Sequence, residues 1–425
     1  ERQELLLEIA RRIRDHAQDY ALFESLNNGK PISEAQLFDI PMAAETFEFF
    51  AGAAFYHHGE TFDTQDSVCM VRREPLGVCA QIIPWNVPMV MMAMKVAPAI
   101  AAGNSVVLKP SEICCLSVLE FFRDIQDILP AGLVNVVTGY GAQVGDTLVT
   151  HPLVRKVAFT GSRPTAQAIM KNASVNIIPQ TLELGGKSAN IVCEDADIEA
   201  AVEAVVMSTV FNKGEVCLAG SRVFLHRKIE NAFLERLSAV METIRIGDPT
   251  DPATQLGAMA SAAQYSKAND YIKLGMGEGA NLLCGGGPAK VAGLPDGYFI
   301  QPTIFTGVSN DMRIAQEEIF GPVTCVIPWE DEDELIQLAN ASPYGLGGGL
   351  WTRDLARAHR LSSRMDTGVV WVNRYYNFAQ GMPVGGYKQS GFGREGWLET
   401  LNHYTQVKSV VFNLSEGPLG IFGAG

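Results

Sequence analysis

Short apolar runs rich in valine and isoleucine alternate along the chain with longer segments of helical periodicity. In the first half, strands are predicted over residues 78–83, 105–108, 134–137 and 154–159, and helices over residues 90–101, 116–128 and 164–173. Strands that alternate with helices are typical of an α/β architecture with a parallel sheet. This half is therefore predicted to be a repeated strand–helix unit of the dinucleotide-binding type.

A second series of elements begins after Gly186. Strands are predicted over residues 189–192, 223–226, 303–308, 323–327 and 368–372, with helices over residues 198–210 and 227–244. The glycine-rich segments 285–287 and 345–349 are interpreted as turns. A chain of 425 residues exceeds the size at which single cores stop growing, so two or more domains are expected.

Composition limits the class of protein and its partners. The formal net charge is −14, which argues against nucleic-acid binding because phosphate recognition needs a basic surface. The longest apolar stretch, residues 87–102, contains Lys95 and two prolines and is too short to span a bilayer. The first residues lack a signal-peptide core, and the eight cysteines include no CxxC pair. We expect a cytosolic protein with free thiols, no membrane segment and no metal site.

Three residues stand in settings that suit acyl chemistry. Cys217 follows a glycine-containing turn and precedes small residues, which leaves its sulfur room for a bulky partner. Glu183 lies between two leucines and beside two glycines, surroundings that raise a carboxyl pKa and suit a general base. Asn86, flanked by Pro84-Trp85 and Val87-Pro88, is held rigidly and can aim an N–H at an oxyanion. Each also fits a structural role, as a core thiol, a turn-capping carboxylate or an Asx turn.

Two further segments follow predicted strands and suit a nucleotide. Gly161 and Ser162 end a strand and open a helix, whose free N–H groups and dipole favour a pyrophosphate, although the full G-x-G-x-x-G spacing is absent. Lys109 and Glu112 follow another strand and place a cation and a carboxylate at its carboxyl end. Sheets of this kind bind their ligands at that edge.

Taken together, the motifs resemble the aldehyde dehydrogenase superfamily over nearly the whole chain. They occur in the family's order: Pro84-Trp85-Asn86, Lys109-Pro110-Ser111-Glu112, Phe159-Thr160-Gly161-Ser162, Leu182-Glu183-Leu184-Gly185-Gly186-Lys187, Gly214-Glu215-Val216-Cys217, Glu317-Glu318-Ile319-Phe320-Gly321-Pro322, Pro343-Tyr344-Gly345-Leu346 and Gly385-Gly386-Tyr387-Lys388-Gln389-Ser390-Gly391. The resemblance implies an α/β fold in three parts. These are a Rossmann-like NAD-binding domain (residues 1–57 and 73–186), an α/β catalytic domain (187–403) and a small β oligomerisation element (58–72 and 404–425).

The resemblance also implies a hydrolytic, non-acylating oxidation of an aldehyde. The Cys217 thiolate would attack the aldehyde carbon, while the Asn86 side chain and the Cys217 backbone N–H hold the oxyanion. Hydride would pass to a nicotinamide and leave a thioester on the cysteine. Glu183 would then activate the water that hydrolyses this thioester to the carboxylic acid.

The family's cofactor contacts map onto named positions in this chain. The matching residues are Trp85, Gly161 and Ser162 at the phosphates, Lys109 and Glu112 at the adenine ribose, Glu318 and Phe320 at the nicotinamide ribose, and Gly185 and Gln264 beside them. Because a carboxylate at Glu112 would repel a 2′-phosphate, NAD is expected in preference to NADP. Arg163 is the opposing signal, since a guanidinium there would favour NADP.

Two departures from the family pattern carry expectations of their own. Glu215 stands where the family usually has glutamine, and we expect it to point away from Cys217, whose pKa it would otherwise raise. Some relatives pair a lysine matching Lys95 with a second glutamate for proton relay. That position is interpreted here as Leu398, with Glu399 one place on, which argues against a proton relay through Lys95.

Positions that match the family's substrate funnel are Val87, Met91, Met94, Phe211, Val216, Leu218, Phe378 and Val384. They are mostly apolar and bulky, which predicts an aromatic or medium-chain aldehyde, although several would serve equally well as core residues. Arg374 is expected near the same funnel and leaves open a semialdehyde with a distal carboxylate. The resemblance further implies a homodimer or a homotetramer.

Three rival functions fit the residues less well. A thiol hydrolase without redox chemistry would leave the ribose and phosphate motifs unexplained. An acylating dehydrogenase that passes its thioester to coenzyme A generally lacks the general base, which this chain keeps as Glu183. A binding protein on the same fold would be expected to have lost the nucleophile, and Cys217 is present.

Overall fold

The structure is a computed structural model that describes residues 1–417 and 421. Its α-helices are α1 (Arg2–Asp15), α2 (Ala17–Asn28), α3 (Ile32–Glu34), α4 (Ile40–Ala53), α5 (Pro88–Ala101), α6 (Leu116–Asp124), α7 (Asp146–Thr150), α8 (Arg163–Ala173), α9 (Ile198–Val210), α10 (Glu230–Met241), α11 (Ala262–Gly277), α12 (Arg313–Gln316), α13 (Glu332–Asn340) and α14 (Leu355–Ser362). Its strands are β1 (Glu60–Asp63), β2 (Ser67–Pro75), β3 (Val78–Ile82), β4 (Ser105–Lys109), β5 (Val134–Val136), β6 (Val154–Thr160), β7 (Gln180–Glu183), β8 (Ala189–Val192), β9 (Arg222–His226), β10 (Asn281–Cys284), β11 (Thr303–Thr306), β12 (Val323–Trp329), β13 (Tyr344–Gly345), β14 (Gly347–Trp351), β15 (Val369–Val372), β16 (Tyr387–Lys388), β17 (Gly391–Phe392) and β18 (Thr405–Asn413).

The first sheet has the order β17-β7-β6-β3-β4-β5 within the described residues. Its strands are parallel except β17, which runs antiparallel to β7. Helices α1, α4, α5 and α6 bury one face, and α7 and α8 cover the other. Because both faces are covered, the strands are continuous apolar runs rather than alternating ones. The carboxyl ends of β3, β4, β6 and β7 lie at one edge and carry the predicted nucleotide motifs.

The second sheet has the order β10-β11-β12-β9-β8-β14-β15 in the part of the chain that is described. It is parallel apart from β10. Helices α11 to α14 pack on one face and α9 and α10 on the other. Helix α9 ends beside the first sheet's carboxyl edge and delivers Cys217 there. Two such sheets confirm the predicted α/β class.

The interpretation of residues 345–349 as a turn is wrong. Strand β14 lies between β8 and β15 in the second sheet, and its glycines are strand residues. Neighbouring side chains press against this strand: a Cβ on Gly349 would lie 2.6 Å from Asn190 Oδ1 and 2.7 Å from the Tyr375 ring. Glycine is therefore required here for close packing and not for chain reversal.

A third, antiparallel sheet joins the hairpin β1–β2 to the C-terminal strand β18. Strand β2 continues to Pro75, past the predicted boundary at residues 72 and 73. Strand β17 belongs to the first sheet although it falls in the segment assigned to the catalytic domain. The division into three parts stays a prediction, and residues 418–420 and 422–425 of the predicted oligomerisation element lie outside the described residues.

Other differences concern helices. Helix α6 ends at Asp124 rather than at residue 128, and α10 ends at Met241 rather than at residue 244. Helices α2, α4, α11, α13 and α14 are present but were not predicted. Among the described residues, no helix is long and apolar enough to cross a membrane, and no cluster of His, Cys, Asp and Glu could hold a metal ion. All eight cysteines are free thiols.

Candidate active site

Cys217 stands on a tightly packed loop after α9. The three residues Asn212, Lys213 and Gly214 all have positive φ, at 44°, 62° and 69°, so the chain reverses within one turn. A Cβ on Gly186 would collide with the Cys217 carbonyl, which shows how closely the glycine pair after β7 approaches the cysteine. The loop thus brings the sulfur to the carboxyl edge of the first sheet.

Glu183 ends β7 and lies beside Thr160 of β6 and Gly391 of β17. Its side chain is buried, and Oε1 has no hydrogen-bond partner within residues 1–417. Burial raises the pKa of Glu183 well above the usual value, and the nearby charge of Glu395 raises it further, whereas Lys95 lowers it. A carboxyl group in this setting suits proton transfer near neutral pH.

Asn86 follows the carboxyl end of β3 and is buried. Its side-chain Nδ2 donates to the Glu215 carbonyl oxygen at 2.9 Å, which fixes the amide beside the cysteine loop. One of the two Nδ2 hydrogens is used in this bond. The second is available to an oxyanion that forms next to Cys217.

One cavity of about 170 Å³ brings these three residues together with most of the predicted cofactor residues. Its lining residues include Cys217, Glu183, Asn86, Trp85, Gly161, Ser162, Gly185, Gln264, Glu318 and Phe320. Residues scattered over more than 200 positions of sequence thus meet at the edge where parallel α/β sheets bind ligands.

The walls of this cavity fit a dinucleotide. Ser162 caps the 11-residue helix α8, and its Oγ accepts from the Thr165 N–H at 3.4 Å. Because Pro164 has no N–H, the Arg163 N–H is the helix donor left for a phosphate in the first turn. The Gly161 position has no room for a side chain, because a Cβ would lie 2.5 Å from the Phe159 ring. Close approach of backbone to a pyrophosphate needs such a glycine.

The opposite wall is formed by Glu318 and Phe320. Glu318 Oε1 accepts from the Gly186 N–H at 3.1 Å, and a side chain at Gly185 would collide with this carboxylate. Phe320 has a positive φ of 61° and packs edge-on against the Trp85 ring, with centroids 5.3 Å apart. Gln264 donates Nε2 to the Phe320 carbonyl at 2.5 Å, so it holds this wall in place.

Lys109 and Glu112 lie apart from the lining of this cavity, at the carboxyl end of β4. Lys109 is buried and donates Nζ to Glu112 Oε2 at 3.4 Å, whereas the Glu112 side chain is 41% exposed. This places the two residues one strand away from β3, as an adenine ribose that follows the phosphates would require.

Lys267 also lines the cavity and was missed. It lies three residues after Gln264 on α11, so the two share one face of the helix. Burial lowers the pKa of Lys267, although Glu318 opposes this. The helical spacing would have identified it if α11 had been predicted.

The Cys217 thiol is only partly exposed. Burial raises the pKa of Cys217 to about 12, with smaller contributions from Glu318 and Glu183, whereas the backbone N–H groups of Cys217 and Leu218 lower it. A neutral Glu183 removes one of these repulsions. Ionisation of the thiol therefore depends on the charge states of the two neighbouring carboxyl groups.

Comparisons with known proteins agree on one family. The family model described as the aldehyde dehydrogenase family matches residues 1–410. The chain belongs to the aldehyde dehydrogenase family. It is 44% identical to an aldehyde dehydrogenase of Deinococcus radiodurans over 99% of this chain and 83% of the relative. It is 45% identical to an acetaldehyde dehydrogenase of Pseudomonas aeruginosa over 99% of this chain and 85% of the relative.

A solved structure of PnpE, from Pseudomonas sp. WBC-3, in complex with nicotinamide adenine dinucleotide is 41% identical. It superposes with a TM-score of 0.97 over 99% of this chain and 87% of that chain. The predicted family, the α/β fold class and the enzyme class, a nicotinamide-dependent aldehyde dehydrogenase, are confirmed. The roles of individual residues remain proposals.

This aldehyde dehydrogenase does have a carboxylate partner for Lys95. The sequence placed the relay position at residue 398 and argued against a relay through Lys95, but Lys95 Nζ donates to Glu395 Oε1 at 2.5 Å. Both side chains are buried, and the charges of both act on Glu183. Leu398 and Glu399 instead lie in the 3₁₀-helix Leu398–Tyr404. Glu395 is the glutamate of the Gly393-Arg394-Glu395 stretch itself, whereas the prediction looked for the partner three residues after it.

Glu215 points away from Cys217, as expected. Its Oε2 lies 3.2 Å from Lys213 Nζ, and its Oε1 accepts from the Ala260 N–H at 3.2 Å. Burial raises the pKa of Glu215 to about 7, whereas Lys213 lowers it. The carboxylate therefore belongs to a buried ion pair beneath the cysteine loop.

The predicted funnel residues divide into two groups. Phe211, Phe378, Val216 and Val384 are partly buried and pack against the same hydrophobic cluster as Cys217, and Val87 and Met91 are half-buried at the start of α5. Leu218 and Met94 are buried, and Leu218 faces Gly347 of β14. Leu218 thus packs in the core, which is the alternative that the sequence left open for several of these positions.

Aromatic rings that were not predicted pack against two of the predicted funnel residues, Phe211 and Phe378. The Phe38 ring lies 5.2 Å from that of Phe211 and 5.8 Å from that of Phe378. The Tyr376 ring lies 5.6 Å from that of Phe211. Phe38 belongs to the π-helix Ala35–Asp39, a turn that sequence periodicity does not reveal.

The two arginines considered for ligand charge lie elsewhere. Arg163 Nη1 donates to Gln389 Oε1 at 2.6 Å, and its guanidinium lies over the Tyr344 ring. Arg374 is exposed and lines an outer cleft along α9 with Glu203. Tyr376 lines this cleft and also packs on Phe211, so the cleft and the funnel share a wall.

Proposed function

We propose that this chain oxidises an aldehyde to the carboxylic acid with NAD, through a thioester on Cys217 that water activated by Glu183 hydrolyses. The observation that carries the proposal is the single cavity that holds Cys217, Glu183 and Asn86 beside a glycine-lined, helix-capped wall. Bound NAD would supply the hydride acceptor. Every other step is performed by side chains of this chain.

Formation of the thioester begins with Cys217. Once its proton has passed to water, the thiolate sulfur adds to the aldehyde carbon, and the carbonyl oxygen takes up the negative charge. As the C=O bond forms again, the hydride on that carbon would leave to the bound nicotinamide, and the thioester remains on Cys217. The second N–H of Asn86 Nδ2 and the Cys217 backbone N–H are the donors for this oxyanion. Since Asn86 is already fixed to the Glu215 carbonyl, little reorganisation is needed when the charge develops.

Hydrolysis of the thioester needs a base. Glu183 takes a proton from water, the oxygen of that water bonds to the thioester carbon, and the thiolate of Cys217 leaves as the acid forms. The Lys95–Glu395 pair lies behind Glu183 and is the route we propose for the proton to leave the buried carboxyl group.

NAD is expected to be preferred to NADP by at least about tenfold in kcat/KM, because the partly exposed Glu112 carboxylate would repel a 2′-phosphate. The Arg163 guanidinium donates to Gln389 Oε1 and lies over the Tyr344 ring, so it does not offset this repulsion. Glu112→Gln should lower the ratio of kcat/KM for NAD to kcat/KM for NADP, mainly through a lower KM for NADP. If the NAD to NADP ratio of kcat/KM is unchanged in this variant, Glu112 does not contact the adenine ribose.

Aromatic and medium-chain aliphatic aldehydes are expected to give higher kcat/KM than succinate-type semialdehydes. The reason is the cluster of aromatic rings formed by Phe38, Phe211, Tyr376 and Phe378, which carries no charge to pair with a carboxylate. Initial rates of NADH formation at 340 nm over the two substrate classes measure this. Higher kcat/KM for the semialdehydes would instead favour recognition by Arg374.

We further propose a homodimer or homotetramer built through the third sheet. In support, β18 is an edge strand of this sheet in the described part of the chain, and Val407, Val411 and Phe412 are exposed on it. Phe62 on β1 is exposed as well. An apolar strand with a free edge can add to the sheet of a second copy.

A further inference from the structure

Beneath the cavity, the loops that carry Asn86 and Cys217 are joined by a fully buried lysine, Lys213. Its Nζ donates to Asn212 Oδ1 at 2.9 Å and to Asn28 Oδ1, and lies 3.2 Å from Glu215 Oε2. An ammonium group has three N–H donors, and two of them are used by these asparagine oxygens. The Glu215 carboxylate lies within ion-pair distance, but its Oε2 accepts no hydrogen bond from Lys213.

The two asparagines that accept from Lys213 also donate to the backbone of the Asn86 loop. Asn28 Nδ2 donates to the Trp85 carbonyl at 2.8 Å, and Asn212 Nδ2 donates to the Asn86 carbonyl at 2.9 Å. Each asparagine thus accepts from the ammonium and donates to the backbone that carries the proposed oxyanion donor. Reversing either amide would break both of its bonds, so the ammonium fixes the amide orientation.

The same lysine holds the turn that leads to Cys217. Lys213 and Asn212 both have left-handed φ, a conformation that L residues rarely adopt and that persists only where neighbours hold it. The turn ends at Glu215, whose carbonyl accepts Asn86 Nδ2 and whose carboxylate pairs with Lys213. Asn212 is fixed from the other side as well, since its N–H donates to Glu34 Oε2 at 2.7 Å.

We propose that Lys213 is a positioning residue of the oxyanion site, whose ammonium locks the Cys217 loop onto the Asn86 loop. The inference rests on the proposed function, because it assumes that Asn86 and the Cys217 N–H hold the oxyanion. It also explains Glu215, the departure from the family's usual glutamine. A buried carboxylate at that position has Lys213 as its counter-charge, and neither is stable there without the other.

The charges around Lys213 are all buried and come from several elements. Burial lowers the pKa of Lys213, whereas Glu215 and Glu34 raise it and Lys30 lowers it further. Lys30 is itself paired with Asp39 at 2.9 Å and Glu24 at 3.3 Å, and touches neither loop. Lys30 therefore offers a matched control, a second buried lysine in the same cluster without the clamping contacts.

The experiment distinguishes two effects of Lys213, its hydrogen bonds to the two asparagines and its neutralisation of the Glu215 charge. Lys213→Met removes the ammonium that donates to both asparagines and leaves Glu215 unpaired, whereas the double variant Lys213→Met with Glu215→Gln leaves no unpaired charge. We expect the double variant to regain most of the lost Tm, but its kcat to stay about tenfold or more below wild type, with KM for NAD unchanged. Lys30→Met should lower Tm and leave kcat near that of wild type.

If Lys213→Met does not fold, the charge-balanced double variant tests the inference alone. The inference is overturned if that variant has a kcat within twofold of wild type, or if Lys30→Met lowers kcat as much. Failure of the proposed function is distinguishable, because the wild-type protein would then form no NADH with any aldehyde. Single-turnover rates of hydride transfer locate the effect at the step in which the oxyanion forms.

Discussion

Cys217→Ala is expected to lower kcat for aldehyde oxidation by roughly 10³-fold or more, because no other thiol lines the cavity in the described residues. The substitution removes the only sulfur that lines the cavity in the described residues, while Asn86 keeps its bond to the Glu215 carbonyl. Affinity for NAD should change little, since the proposed cofactor wall is formed by other residues. Stopped-flow absorbance at 340 nm and NAD titration measure the two quantities.

The matched control for this loss is Cys325→Ala. Cys325 is also buried, and burial raises the pKa of its thiol to about 11, but it lies in β12 and donates to the Ile314 carbonyl at 3.4 Å. This variant should lose some stability and keep its activity, because its thiol packs in the core of the second sheet. A Cys217→Ala protein that still oxidises aldehydes at the wild-type rate would exclude the thioester mechanism.

Local hydrophobic patterns in the sequence were sufficient to predict the strands that carry the site residues. The strands that precede Asn86, Lys109 and Gly161 are short apolar runs ended by proline or glycine, and all three are found where they were predicted. Ordered motifs then predicted which residues meet in the cavity, because parallel strands bring their carboxyl ends to one edge.

The contacts that were missed are long-range or depend on packing. Glu395 meets Lys95 across 300 residues of sequence, and only the antiparallel addition of β17 to β7 places the loop beyond β17 behind Glu183. The glycines of β14 have no side chains to show a strand pattern, and their need for space appears only when Asn190 and Tyr375 are seen against them. Phe38 was missed because the π-helix around it has no distinct periodicity.

Glu183→Gln is expected to separate the two halves of the reaction. Thioester formation needs Cys217 and Asn86, so a first burst of about one NADH per site should survive. Hydrolysis should then slow by roughly 10²- to 10⁴-fold, the usual contribution of a general base, because glutamine cannot accept the proton of water. Rapid-mixing kinetics with one aldehyde distinguish the burst from the steady rate. Loss of the burst itself would show that Glu183 acts before the thioester forms.

The pH dependence of thioester hydrolysis tests the role of Glu183 through substitutions of Lys95 and Glu395. The pKa of Glu183 is raised by burial and by Glu395 and is lowered by Lys95, and the base works only when deprotonated, so hydrolysis should fall as the pH drops below that pKa. Lys95→Met removes the cation and should move this acid limb to higher pH. Glu395→Gln removes the anion and should move it to lower pH. Shifts in the same direction would contradict the electrostatic coupling, because loss of packing alone has no reason to act with opposite signs.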